Sequence, residues 1–477
     1  MPPTAKRVIT VAPLPPEKCA YALARYSRSP DSIRESLEWV RSHNSQSFLE
    51  SYYFQYGHAS IADLGHTVIC LEGISELAAA EAEDEVLWDG QAKSSRYQDF
   101  SRTGFLTPPE FAPEAADVYR AAATALLAAY QQTHGAMLGH LRATLPRPQA
   151  MKPDAYERNL NARAFDVARY LLFWGVPTNV GQVTSIRTLE KQIRRLRASP
   201  YAEVRALGEE IREACGQEPA CRWREEDVEP IAPTLARHAE PDFFSMRSRA
   251  DLQAWAVQNL PRPQGLDAPR VDLLQPADAS AEIAATLLYP VTDRPFRELY
   301  QIVLDWSAAQ RREVVDVALR SKGRYDDMPR GLRGGQFIFD MAIDIGAYRD
   351  MHRHRRCHQY RQAYTGRLGY DVPAVLEKTP AAASAFRAAM DQALATLHTL
   401  PAPGAHYLLP FGARSRFLFK MDFAEVEYIA RVRSGVKGHF SYREIAWEMK
   451  RKLAEAEPAL ADLIDATPPW VEDPLQR

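Results

Sequence analysis

One pattern occurs twice along this 477-residue chain, and a long-period repeat points to two related pieces folded alike. In the first half, His66-Thr67-Val68-Ile69-Cys70-Leu71 reads as a mostly apolar strand, followed by Gly73. Ser75 then caps a helix over ELAAAEAEDEVLW, a run of strong helix formers. In the second half, Phe337, Phe339, Met341 and Ile343 alternate with Asp340 and Asp344, the period of a strand. After Gly346, AYRDMHRHRRCHQYRQAY reads as helix. Each half later carries a helical segment ending in a basic turn, SIRTLEKQIRRLR at 185–197 and DFAEVEYIARVR at 422–433. Between the halves, from about Gln217 to Pro276, proline-rich stretches such as LPRPQGLDAPR weaken the helical spacing, as a connection between domains does. The expected organisation is one domain over residues 15–225, a Pro-rich connection over 226–274, and a second domain over 275–470.

Composition excludes several classes. Hydrophobic residues make up 46% and charged ones 25%, the mixture of a globular protein rather than a disordered one. Lys+Arg 59 against Asp+Glu 61 leaves a net charge of -2, so no bulk charge calls for nucleic acid or an anionic membrane. No stretch of about 18 consecutive apolar residues occurs, and the start has no run of signal-peptide length. Five scattered cysteines, Cys215 and Cys221 among them without a neighbouring histidine, argue for reduced thiols rather than a zinc site. The expected location is the cytoplasm.

The densest chemical signal lies at 352–361, where four arginines and three histidines fall within ten residues. Guanidinium forks match phosphate, carboxylate or the carbonyl oxygens of a uracil-like ring. A solvated helix face is the plain alternative. The apolar strand just upstream argues against it, since that strand carries the cluster inward. A metal is the third reading, because His354 and His358 share a face if the segment is helical. The surrounding arginines would repel a cation and no nearby acidic residue completes a HExxH-like pattern, so no metal ligand is expected.

The run His352-Arg353-His354-Arg355-Arg356-Cys357-His358-Gln359-Tyr360 resembles the signature of the flavin-dependent thymidylate synthases, Arg-His-Arg followed after seven residues by Ser-x-Arg-Tyr. Neither half carries the whole signature. The first has Ala24-Arg25-Tyr26-Ser27, then Gly57-His58-Ala59-Ser60-Ile61-Ala62-Asp63 for the family's Gly-His-x-Ser/Thr-x-x-Glu element, then Ser94-Ser95-Arg96-Tyr97 as a direct Ser-x-Arg-Tyr. Where the family has Arg-His-Arg, this half reads Asp84-Glu85-Val86, and its later helix keeps Leu196-Arg197. The second half keeps Arg353-His354-Arg355 and Val432-Arg433, but has Ala363-Tyr364-Thr365-Gly366 for Ser-x-Arg-Tyr and Asp327-Met328-Pro329-Arg330 for the Gly-His element. It also departs at Asp350, Asp422 and Ala424.

What the resemblance implies is an α/β protein of α+β type, with two homologous thymidylate-synthase-complementing-like domains, each a small mixed sheet packed with helices. The implied activity is reductive methylation of dUMP with methylenetetrahydrofolate and NADPH on FAD. Arg353 and Arg433 would hold the pyrimidine and polarise its carbonyls as the catalytic residues. Ser94, Ser95 and Arg96 would take the phosphate, with Arg197 as a further substrate-binding position. His354 and Arg355 would face the flavin, and Ser27, His58, Ser60 and Asp63 would bound it. In the family each site lies between subunits of a homotetramer. The two halves keep opposite parts of one site, which suggests a tandem duplication with composite sites built from both halves. Two such chains would make a pseudo-tetramer, an assembly the sequence leaves open. Asp84 and Glu85 are expected to pair with arginines across the pseudo-twofold contact. Two alternatives stand beside this reading: flavin-dependent modification of another pyrimidine nucleotide, and a catalytically inactive nucleotide-binding scaffold.

Overall fold

The computed structural model describes residues 14–27, 29, 32–55, 59–85, 87–96, 98–222, 224–243, 246, 270–274, 278–289, 295–319, 330–473 and 475. The chain forms two compact units. The first comprises Met1–Lys93, Leu106–Ala112 and Pro177–Arg262; the second comprises Ser94–Phe105, Pro113–Val176 and Pro263–Arg477. The Ser94-Ser95-Arg96 segment therefore packs in the same unit as the basic cluster. The α/β expectation holds, and every described strand pairing is antiparallel rather than mixed. Among the described residues no helix is long and apolar enough to cross a membrane.

In the first unit, β1 (His66–Ser75), β2 (Trp88–Ala92) and β3 (Pro177–Ser185) form a sheet in the order β1-β3-β2. A bulge between Glu72 and Ile74 is turned by Gly73 at φ +67, a conformation open to glycine at little cost. Ser75 caps the next helix as expected, its Oγ accepting from Ala78 N at 3.0 Å. That helix spans only Glu76–Ala82, and the predicted continuation to Trp88 is corrected: Trp88 opens β2. Gln192 Nε2 donates to the carbonyl of Ala82 at 2.7 Å, occupying a terminal acceptor. Gln182, bonded in turn to Gln192, accepts from Trp88 Nε1 at 2.6 Å and holds the indole on the strand. The basic-ended segment forms the helix Ile186–Arg197, capped by Ser185, and packs on the helix Ala202–Cys215.

In the second unit, β4 (Val271–Leu274), β5 (Phe337–Asp344), β6 (His358–Arg361) and β7 (Arg414–Met421) run in the order β4-β5-β7-β6. The order β5-β7-β6 repeats that of β1-β3-β2. Phe337, Phe339, Met341 and Ile343 are buried, as the alternation predicts, and meet Phe417 and Phe419 of β7 in the core. The long helix Pro113–Thr144 packs along Pro153–Ala168 and Pro380–Leu397. Asp344 caps the helix Ile345–Met351, its Oδ1 accepting from Ala347 N at 2.7 Å. Tyr348 of that helix stacks on Phe417 with ring centroids 3.9 Å apart.

The expected helix through the basic run is also corrected. It ends at Met351, residues 352–357 turn, and β6 begins at His358. Like charges three and four apart repel on a helix. Here Gln359 Nε2 donates to the carbonyl of His354 at 2.9 Å and closes the turn, while β6 gains a full ladder on β7.

Candidate active site

The second unit gathers charged side chains around Asp350. Arg169, 2% exposed, donates through Nη2 to Asp350 Oδ2 and to the carbonyl of Gly346, both at 3.0 Å. Burial pushes the Asp350 carboxyl up, but Arg169, Arg96, Arg433 and Arg353 together outweigh it and hold the group below the ordinary aspartate value. Four guanidinium groups thus act on one carboxylate, and they come from four separate stretches of sequence.

Arg96 is the best-anchored of the four. Its Nε donates to Asp166 Oδ1 at 2.8 Å, Nη1 to the Tyr442 hydroxyl at 2.9 Å, and Nη2 to the carbonyl of Lys437 at 3.0 Å. Burial alone would lower its proton affinity; Asp166 and Tyr442 reverse that and keep the guanidinium charged. Ser94 Oγ accepts from Arg96 N at 3.3 Å, and Ser95 Oγ accepts from Arg349 Nη1 at 3.2 Å, so the expected phosphate loop is a tight turn pinned on both sides. Arg349 itself lies 4.7 Å over the Phe411 ring.

Tyr442 links the two halves of the expected site. Arg96 and Arg433 lie 5.8 and 5.7 Å from the centroid of its buried ring. Arg433 ends the helix Phe423–Ser434, and its Nε donates to His354 Nε2 at 2.7 Å. His354 Nδ1 faces Glu425 Oε1 at 3.3 Å. An imidazole that accepts on Nε2 and faces a carboxylate with Nδ1 is the neutral Nδ1–H tautomer. Burial, opposed by Glu425 and aided by Arg433, lowers its pKa in agreement. His354 is thus 5% exposed and engaged by protein groups, whereas Arg353 and Arg356 are exposed and Arg355 partly so.

The metal reading loses its premise, because His354 lies in a turn and His358 in β6 rather than on one helix face. Among the described residues no group of three or more His, Cys, Asp or Glu could hold a metal ion. Cys357, beside the arginines, is no thiolate nucleophile: burial, then Glu425, push its thiol well up.

The remaining expected positions belong to the first unit. Arg197 is held there by Glu209 Oε2 at 2.8 Å and by the carbonyl of Ala239 at 2.5 Å. Asp63 bonds Arg187 Nη1 at 2.6 Å and accepts from Ser185 Oγ at 3.4 Å. Ser27 is exposed and donates to the carbonyl of Ala24 at 2.8 Å; Ser60 is exposed. His58 and Tyr97 lie outside the described residues, as do Gly57, Val86 and Asp327 to Pro329. The expected pairing of Glu85 across the pseudo-twofold contact is corrected: it binds Arg195 at 2.9 Å within the first unit, on the helix that follows β3.

Sequence reasoning missed Asp166, Glu425 and Tyr442. Each is an acidic or aromatic residue inside a helix, where only distant partners mark it out. Tyr442 meets Arg96 across 346 positions, and no local pattern announces such a pair.

Comparison with known proteins supplies the rest. The UPF0159 protein of Chlamydia muridarum is 26% identical over 424 residues, spanning 85% of this chain and 78% of its own length. The UPF0159 protein Ta1429 of Thermoplasma acidophilum is 23% identical over 484 residues and 93% of each chain. A solved structure, the flavin-dependent thymidylate synthase ThyX of Helicobacter pylori complexed with FAD and dUMP, covers 40% of this chain and 99% of its own at 13% identity, with a TM-score of 0.32. The family described as thymidylate synthase complementing protein matches residues 7–218 and again 275–459, most of the chain in two regions. The chain therefore belongs to the thymidylate synthase complementing protein family, that of the flavin-dependent thymidylate synthases.

Proposed function

We propose that this protein methylates dUMP reductively, with methylenetetrahydrofolate and NADPH as co-substrates and FAD as cofactor, at one site per chain built from both halves. The observation that carries this reading is the convergence of Arg96 and Arg433 on Tyr442, with Asp350 in their common field. The site follows the partition of the signature: the first half contributes Ser94, Ser95 and Arg96, the second contributes Arg353 and Arg433.

The work of these residues is positioning and electrostatic stabilisation. Arg96, braced by Asp166, takes the nucleotide phosphate beside the Ser94 and Ser95 hydroxyls. Arg433 and Arg353 orient the pyrimidine and stabilise charge that develops on its carbonyl oxygens. Each charge-assisted hydrogen bond of this kind is worth about 1.5–3 kcal/mol. Asp350 keeps four like charges from driving one another apart. FAD suits this chain at the 353–356 turn, where the exposed guanidinium group of Arg356 matches a pyrophosphate and Arg355 stands beside it; Ser27, His58, Ser60 and Asp63 are the candidates that the signature adds in the first half. When bound, the flavin supplies the redox chemistry and the transfer of the one-carbon unit.

The repeated strand order supports descent of the two halves, 15–225 and 275–470, from a tandem duplication. Two chains would then make a pseudo-tetramer. All five cysteines are free thiols, which suits a cytoplasmic protein.

The test is incubation with FAD, desalting and a visible spectrum, followed by release of the C5 hydrogen of dUMP. About one retained flavin per chain with dUMP-dependent release is the expected result. Flavin retention without release from dUMP, but with release from UMP or dCMP, moves the reading to another pyrimidine. No retained flavin and no turnover sinks it in favour of a nucleotide-binding scaffold.

A further inference from the structure

Arg433 has an unusual neighbour for an arginine in a crowded cationic site. Its Nε hydrogen goes to an uncharged acceptor, His354 Nε2 at 2.7 Å. The residue that accepts it is held through both its backbone and its ring. Gln359 Nε2 donates to the His354 carbonyl, His354 N donates to the carbonyl of Met351 at 3.1 Å, and Tyr428 stands edge-on at 5.7 Å. Glu425, 5% exposed, meets Nδ1 from the same helix that carries Arg433 two turns on. Its position is set in turn by the Asp422 cap, which accepts from Glu425 N at 2.9 Å.

The charges make sense of this order. A carboxylate placed directly on Arg433 would neutralise it before any anion or carbonyl arrived. A neutral imidazole fixes the guanidinium without spending its charge, and the carboxylate behind it fixes the tautomer, as in the carboxylate–histidine pairs that orient metal ligands and catalytic bases. We propose that Glu425 and His354 form a relay that positions Arg433: Glu425 sets the Nδ1–H tautomer of His354, and His354 Nε2 holds Arg433 so that its terminal amino groups face the pyrimidine. His354 is then a positioning residue, not the flavin contact that its place in the Arg-His-Arg signature implies. The inference rests on the proposed dUMP site and assigns within it a division of labour that the signature does not contain.

The experiment compares His354→Leu, His354→Gln and Arg433→Ala in the full chain, measuring dUMP affinity and retained FAD separately. His354→Leu is expected to weaken dUMP binding about tenfold while flavin retention stays at the wild-type stoichiometry. His354→Gln, whose amide oxygen still accepts from Arg433 and whose amide nitrogen still faces Glu425, is expected to recover most of that loss. Adding His354→Leu to Arg433→Ala is expected to cost nothing further, because both changes remove one interaction. Loss of flavin with unchanged dUMP affinity overturns the relay, and so does full additivity in the double variant. Should the wild-type protein bind no dUMP at all, the failure belongs to the proposed function. The relay is then decided by the nitrogen-15 spectrum of the imidazole, assigned by its absence in His354→Gln. Nδ1–H at neutral pH upholds it, and Nε2–H or a doubly protonated ring refutes it.

Discussion

Arg197 and Arg433 end the corresponding helices of the two halves, and their surroundings differ in one respect that matters. Arg197 is bound directly by the Glu209 carboxylate; Arg433 is bound by a neutral histidine with the carboxylate one step behind. Two guanidinium groups at the same place in the same pattern therefore present different charge to their surroundings. At its position the Glu209 carboxylate ties Arg197 within the first unit. Arg433, bonded to an uncharged acceptor, is the one proposed above to meet the pyrimidine.

The strongest way to break this contrast is to remove the buried arginine of the second unit. Arg96→Met strips the cation from a pair whose Asp166 side chain is 2% exposed, and the expected cost is about 3–5 kcal/mol, read as a drop in the urea midpoint, with dUMP binding lost. Arg197→Met breaks a more exposed pair and is expected to stay within about 1 kcal/mol. Comparable losses from both would show that burial does not separate the two carboxylate-bound arginines.

The two helix caps that follow β1 and β5 offer a second test. Burial, then Asp371, push Asp344 up to about 6, while its counterpart Ser75 does not titrate. The native state then holds a proton that the unfolded chain, titrating near about 3.9, has released. Stability therefore falls as pH rises from about 4 to about 6, by about 2–3 kcal/mol, and is level above that window. Asp344→Asn keeps a cap and is expected to flatten this slope in urea titrations at successive pH values. An unchanged slope would assign it to another group.

Affinity sharpens the comparison further. Arg433→Ala is expected to weaken dUMP binding about 10- to 100-fold, in keeping with about 1.5–3 kcal/mol for a charge-assisted bond, and Arg197→Ala to leave it unchanged. The smallest effects come from the caps of the two helices themselves. Ser185→Ala and Asp422→Ala should each cost about 1 kcal/mol of stability. Only Asp422→Ala should also weaken dUMP binding, because it releases the turn that carries Glu425.

What the sequence revealed was what neighbours along the chain decide. Alternation placed β5, and the Ser75 cap fell where a short polar side chain precedes helix formers. Each overlong helix stops short where a glutamine side chain takes a backbone carbonyl. Gln192 donates to the Ala82 carbonyl across 110 positions, and Gln359 to the His354 carbonyl across five. Helix propensity carries no record of such a partner. The signature pointed to Arg96, Arg353 and Arg433, yet not to Asp166, Glu425 or Tyr442, whose meaning arises only once stretches 70 to 346 positions apart are in contact. His354 shows the opposite limit: its motif marks it out, while its contacts with Arg433 and Glu425 come from a helix some 70 positions further along the chain.

The ring of Tyr442 carries one more consequence, for inheritance. Arg96 and Arg433 come from opposite ends of one reading frame and lean on a single side chain. A gene broken at the proline-rich connection would send Arg96 to one product and both Arg433 and Tyr442 to another. What one chain achieves by folding would then require two products to associate.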